Sequence, residues 1–180
     1  MTVAAGFVYN DGLVFCADTK ISTPIKTNER KISFFVSDDT LCGMTFAISS
    51  DDVNFPRSAV SACWNMVSRM DFSTATIDAV HNTAQFALAE FYREHIYTHP
   101  DRTPGAVFLE ILVGIWLRNE TQLYVSHETL LTPVEDYECI GSGSYLAKYL
   151  IQQYKRANPA ANTLEDAAMM ASFAVQSAID

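Results

Sequence analysis

No run of lysine or arginine occurs anywhere in the chain. Twelve basic residues stand against 21 acidic ones, a net charge of −9. With no basic track to follow a phosphate backbone or an anionic leaflet, nucleic acid and membrane surfaces are excluded as expected partners. The opening MTVAAGFVYNDG has no basic stretch and meets polar turn residues after a few apolar ones, so neither a secretion signal nor a spanning helix is expected to start there. A cytoplasmic protein is the expectation. Cysteine is scarce: Cys16, Cys42, Cys63 and Cys139 lie far apart, without the CxxC spacing of zinc or redox sites. Three of the four fall in apolar stretches, which predicts buried thiols in a reducing compartment. Internal repeats, low-complexity tracts and linkers are missing too.

What is present is enough apolar material for a core. With 49% hydrophobic and 12% aromatic residues over 180 positions, one domain spanning 1–180 is expected. Val3 to Tyr9 and Leu13 to Ala17 read as strands around Asn10-Asp11-Gly12, a turn whose residues tolerate positive φ. Ile21 to Lys26 and Lys31 to Val36 suggest a further extended pair. Ser37-Asp38-Asp39 then turns the chain into the apolar run Leu41 to Ile48.

The period changes after Ser50. Val53, Val60, Trp64 and Val67 recur at helical spacing behind a cap expected at Ser49 or Ser50, and Asp51-Asp52 suits the positive end of that helix. Ile77, Val80, Ala84, Ala87, Leu88, Phe91 and Tyr92 form a second helical stripe, ending near Thr98-His99-Pro100. Strand character returns at Val107 to Leu117, Gln122 to Ser126 and Tyr137 to Ile140. Helices are expected over Tyr145 to Arg156 and again from Thr163, with Leu164, Ala168, Ala171 and Val175 on one face. Thr163 followed by Asp166 has the form of a capping box. The order strands, two helices, strands, two helices predicts an α+β fold in which helical pairs cover antiparallel sheets on both outer faces.

Thr2 is the first candidate for chemistry. Methionine aminopeptidases need a small second residue, so loss of Met1 is expected, leaving a threonine with a free α-amine. A hydroxyl needs an adjacent base, and an amine with a pKa of about 7.7 to 8.0 is matched to neutral pH. Nucleophile and base would then share one residue. Read alone, Thr2 is simply a common residue after an initiator methionine, Asp18 a turn-capping acid and Lys31 a solvated charge.

The residues around them change that balance. Thr2-Val3-Ala4-Ala5-Gly6, Asp11-Gly12, Leu13-Val14-Phe15-Cys16-Ala17-Asp18 and Lys31-Ile32 follow one another in the order seen in proteasome β-like peptidases, which the first third of the chain resembles. Ile140-Gly141-Ser142-Gly143-Ser144 is similar to the Gly-Ser segment that follows a strand in the same family. Over nearly the whole 180 residues the chain resembles the proteasome β-like and ATP-dependent bacterial peptidase subunits, which are N-terminal-nucleophile hydrolases.

That resemblance implies a four-layer αββα sandwich and a threonine-type amide hydrolase. Thr2 would be the nucleophile, Lys31 would tune it, Asp18 would hold Lys31, and Ser142 would assist near the amine. A cation near the threonine favours its deprotonated forms, and a paired carboxylate holds the lysine in place. For Ser142 a helix-capping role stands beside the catalytic one. Gly141 and Gly143 would shape the turn and the substrate-binding surface. Where the family has an oxyanion-hole glycine, this chain has Ile48. Its N–H is expected to hold the oxyanion and its β-branched side chain to crowd a bound peptide.

Neither a cofactor nor a metal is implied. The implied partners are a peptide or small-amide substrate, further copies in a homo-oligomeric ring and an activating ATPase. Family members continue past the last helix into a further acid and closing strands, whereas Ser177-Ala178-Ile179-Asp180 is still helical in pattern. Either a truncated or partial chain, or a short variant that leaves a sheet edge for a neighbour to cover, is expected. A catalytically inert structural subunit and an amidohydrolase acting on small amides remain the alternatives.

Other motifs are weaker. His95 and His99 are four apart, but Glu94 precedes the first histidine, so HExxH is absent. The Gly-Ser segment lacks the lysine of a phosphate-binding loop. Cys16 lies in an apolar strand without a histidine nearby in sequence, which favours a core role over a thiol nucleophile.

Overall fold

The computed structural model describes residues 2–9, 12–21, 27–28, 30–50, 54–98, 109–158 and 163–179. Asn10, Asp11, 22–26, Asp51-Asp52-Val53, His99, Pro100, Val107 and Pro159, which carry parts of the expectations above, lie outside them.

Strands β1 (Ala4–Tyr9) and β2 (Gly12–Ala17) form the expected antiparallel hairpin, and β10 (Tyr137–Ile140) pairs with the other side of β1. The second sheet is five-stranded, ordered β5 (Ile32–Val36), β6 (Cys42–Ser50), β7 (Leu109–Leu117), β8 (Glu120–His127) and β9 (Leu130–Val134). A short β3–β4 hairpin (Lys20–Ile21, Thr27–Asn28) stands apart. Helices α1 (Asn54–Val67) and α2 (Ile77–Tyr92), the latter continued by a π-helical turn Arg93–Tyr97, follow the first strands. Helices α3 (Ser144–Ala157) and α4 (Leu164–Ile179) close the order.

Residue period explains the layering. Along β6, Cys42, Met44, Phe46 and Ile48 point to one face and pack with Val60, Cys63, Val80, Ala84 and Leu88 of α1 and α2. The alternate Ala47, with Leu112 and Leu123, meets Ala4 and Ile140 of the smaller sheet. Beyond that sheet, Ala5, Phe7 and Cys139 pack on Ala147 and Ile151 of α3 and Met170, Ala171 and Ala174 of α4. Helix pair, five-stranded sheet, three-stranded sheet and helix pair therefore form the four-layer αββα sandwich. Gly114 sits where the two sheets press together: a Cβ there would come 2.7 Å from Leu13 and 2.8 Å from Phe15.

Several local expectations are corrected. β5 pairs with β6, Ser37 Oγ accepting the Cys42 N–H at 3.0 Å and Thr40 taking φ of 56° to close a tight turn between them, while Ile21 pairs with Thr27. Ser49 and Ser50 belong to β6, and α1 is described from Asn54 onward. β9, with Pro133 inside it, has no expected counterpart; it is an edge strand, where proline's missing N–H costs no sheet bond. On α4 the buried stripe contains Ala167, Met170, Ala171, Ala174 and Val175, while Ala168 is exposed. The Thr163–Asp166 capping box is present: Asp166 N–H donates to Thr163 Oγ1 at 3.1 Å and Thr163 N–H to Asp166 Oδ2 at 3.1 Å.

Candidate active site

The start of β1, the end of β2 and the end of β10 meet the start of β5, the end of β6 and the start of β7 at one end of the sandwich. Thr2, Asp18, Lys31 and Ser142 all fall there. Lys31 immediately precedes β5, and its carbonyl accepts the Ile48 N–H at 3.0 Å, so sheet pairing fixes its backbone. Its ammonium donates to both oxygens of Asp18 at 2.9 Å and to Thr2 Oγ1 at 3.3 Å. The lysine and aspartate side chains are 5% and 0% exposed, a depth at which single charges are not tolerated.

Asp18 does more than hold Lys31. Its Oδ1 accepts the Val3 N–H at 2.8 Å, and its own N–H donates to the Val3 carbonyl at 3.0 Å. One carboxylate thus anchors both the lysine and the residue after Thr2. On the other side, Thr2 N donates to Ser142 Oγ at 3.0 Å, and the Thr2 carbonyl accepts the Gly143 N–H at 3.0 Å. With Met1 in the chain that nitrogen is a peptide nitrogen. The N-cap of α3 is Gly143 and has no side-chain cap bond. The serine hydroxyl therefore faces Thr2 rather than capping the helix.

Gly141 is required by geometry. It adopts φ of +95°, and a Cβ there would lie 2.3 Å from the Thr2 carbonyl oxygen and 3.0 Å from Ser49 Oγ. Its N–H donates to Glu110 Oε2 at 2.7 Å. Glu110 and Ser49 face each other across β6 and β7, and neither carries a motif that singles it out in sequence. The available signal is parity, since both stand on the face that Ala47 and Leu112 make apolar.

The oxyanion expectation is where the geometry departs. The Ile48 N–H is bonded to Lys31, the Gly141 N–H to Glu110 and the Gly143 N–H to Thr2. None of the three amides assigned to substrate has an uncommitted proton. The Ile48 side chain, 3% exposed, is packed among the α1 and α2 residues, so it does not crowd the site.

Elsewhere, His95 packs on the Phe91 ring with centroids 4.5 Å apart. It borders a cleft of about 560 Å³ between α1 and α2 that none of the seven site residues lines. Cys16 is half-buried on β2, where burial is the main cause raising its thiol above the ordinary value. Among the described residues no group of three or more His, Cys, Asp or Glu side chains is arranged to hold a metal ion, and no helix is long and apolar enough to cross a membrane.

Two antiparallel sheets enclosed by helical pairs match the N-terminal-nucleophile hydrolase fold. The family model described as "Proteasome subunit" matches residues 2–180, and the chain belongs to that family. No curated protein matches it.

Solved structures share the fold at low identity. A Gly-1 mutant of Anbu from Hyphomicrobium sp. strain MC1 superposes with a TM-score of 0.71 at 16% identity, over 94% of this chain and 72% of the other. Anbu from Yersinia bercovieri, described as an ancestral β-subunit, gives 0.66 at 14%, over 84% and 65%. The Anbu complex from Pseudomonas aeruginosa, solved as a helical assembly, gives 0.67 at 16%, over 98% and 74%. The chain thus spans from just under two thirds to about three quarters of the length of these relatives.

Proposed function

We propose that the protein is a threonine-type amide-bond hydrolase, a proteasome-like peptidase subunit in which removal of Met1 makes Thr2 the nucleophile. One observation carries this reading: the Lys31 ammonium, held at 2.9 Å by both oxygens of a buried Asp18, reaches Thr2 Oγ1 at 3.3 Å. An ammonium at that position favours a developing alkoxide.

Once Met1 is gone, the Thr2 nitrogen that donates to Ser142 becomes an α-amine. The Thr2 hydroxyl oxygen attacks the amide carbonyl carbon, and its proton passes to the amine. The amine returns that proton to the leaving nitrogen as the C–N bond breaks, leaving an ester on Thr2 that water hydrolyses. Ser142 Oγ orients the amine, and Asp18 orients Lys31. The donors for the oxyanion lie outside Ile48, Gly141 and Gly143 unless their present bonds break.

That last feature favours a second reading, an inert subunit that contributes surface instead of chemistry. Association with further copies belongs to both readings. Tyr145 and Tyr149 of α3 and Met169 and Phe173 of α4 are 86%, 53%, 60% and 54% exposed. An apolar face of that kind fits contact with another subunit better than contact with water. An activating ATPase is a further proposed partner, and the substrate is a peptide or a small amide.

Treatment with a β-lactone or epoxyketone probe tests the assignment in protein whose intact mass shows Met1 removed. Wild type is expected to gain one probe mass, and Thr2→Ala none. Equal labelling of the two would refute Thr2 as nucleophile, and a wild type that never labels points to the inert subunit. A panel of peptides and small amides then separates the two substrate classes. Light scattering of a monomer would dispose of the oligomer.

A further inference from the structure

We propose that Glu110 is a positioning residue for the Thr2 centre, acting through the loop Gly141-Ser142-Gly143. This rests on the nucleophile reading above. Glu110 is the second residue of β7, and strand parity places it with Leu112 and Gly114 on the face that meets the smaller sheet. That layer is built from Ala4, Ala47, Leu112, Leu123 and Ile140, and beside it the half-buried Glu110 carboxylate, partly removed from water, gains from a hydrogen-bond donor. Its donor is the Gly141 N–H at 2.7 Å, the first amide after β10.

The bond therefore ties the start of β7 in the larger sheet to the loop that leaves the smaller one. Ser49, paired with Glu110 across the strands and 2% exposed, lies against the same glycine. The other end of the loop is held by Thr2, whose carbonyl accepts the Gly143 N–H and whose nitrogen donates to Ser142 Oγ. Between these two holds sits Ser142, the only side chain of the three-residue loop able to bond. It is exposed, and its hydroxyl accepts from the Thr2 nitrogen. Its place against the Thr2 nitrogen is thus set by the backbone on either side, and Glu110 sets one side.

Length and charge can be separated. Glu110→Gln keeps an oxygen at the same reach and loses the charge, whereas Glu110→Asp keeps the charge and is one methylene too short for Gly141. In the full-length protein with Met1 removed, labelling by the β-lactone probe is measured as a maximal rate constant and a half-saturating concentration. Misplacement of a reacting group by about 1 Å costs about a hundredfold, so Glu110→Asp is expected to lower the maximal rate about tenfold to a hundredfold with the half-saturating concentration little changed. Glu110→Gln is expected to recover to within about threefold of wild type, a neutral acceptor being the weaker one. Combined with Ser142→Ala, Glu110→Asp should add almost nothing, because the two act in one chain of contacts.

A Glu110→Asp protein that labels as fast as wild type overturns the proposal. So does a Glu110→Gln protein as slow as Glu110→Asp, because an acceptor at the right reach would then not hold the loop, and so does additivity with Ser142→Ala. Failure of wild type to label is a different result. It removes the nucleophile reading, and the positioning role goes with it.

Discussion

Lys31 and Asp18 are buried together, and their removal is not symmetrical with their presence. A buried pair contributes little against an apolar pair of the same shape, but one partner left alone is an uncompensated charge. Lys31→Met or Asp18→Asn is therefore expected to cost about 3–5 kcal/mol in urea unfolding, since either change breaks the pair. Asp18→Asn also weakens the hold on Val3, so its effect should be the larger. At Gly141 the constraint is steric. Alanine there would need φ of +95° with its Cβ 2.3 Å from the Thr2 carbonyl. Gly141→Ala is expected to displace the loop, lose probe labelling and destabilise by about 1–3 kcal/mol, measured by labelling and urea unfolding of one preparation.

The clearest case among the elements is the start of α4. Thr163 and Asp166 exchange bonds that satisfy amides at an end where the helix cannot do so itself. Thr163→Ala is expected to cost about 0.5–2 kcal/mol, read by chemical denaturation, and to leave probe labelling within a few-fold, because α4 touches the smaller sheet on the face away from Thr2. α3 is held differently. Lys148 is paired with Glu138, and Lys155 is paired with Asp136 and lies 4.9 Å from the Tyr137 ring centroid, so surface ion pairs link the β10 segment to the helix after it. The Gly141–Gly143 loop joins these two, which is why a bond at Gly141 can govern where Ser142 stands.

Across the whole molecule the thiols report on the layers. Cys63, between sheet and α2, and Cys139, between sheet and α3, are both pushed up to about 12 by burial, and Cys42 to about 11. A thiol held above its ordinary value of 9.0 when folded stabilises the fold fully below that value. The contribution is lost as pH rises through the folded values, because the unfolded chain releases those protons first. Urea midpoints are therefore expected to hold level through neutral pH and to fall between about pH 9 and 12. In native protein near pH 8, Cys42, Cys63 and Cys139 should resist a thiol reagent that modifies them at once in denaturant, and ready native modification would count against the packing described.

Much of the architecture is legible in residue order and period. Alternation and helical period place the two hairpin strands, both helical pairs and the capping box, because burial on one face imposes a period that local residues must obey. The order of motifs likewise marks Thr2, Asp18, Lys31 and Ser142. Partners distant in sequence were not legible. Which strand β5 joins depends on a turn closed by Ser37 and Thr40, and β9 is masked by a proline that only an edge position tolerates. The sequence named Ile48, Gly141 and Gly143 as amides for substrate. Their hydrogen bonds to Lys31, Glu110 and Thr2 exist only once strands distant in sequence have paired or, for Glu110, the two sheets have stacked, since an N–H carries no mark of its partner in its own residue type. Side-chain character and spacing thus settled the layers, and the family resemblance marked Thr2, Asp18, Lys31 and Ser142 as the proposed reactive residues, while the partner of each backbone proton, and the part proposed for Glu110, came from how distant strands meet.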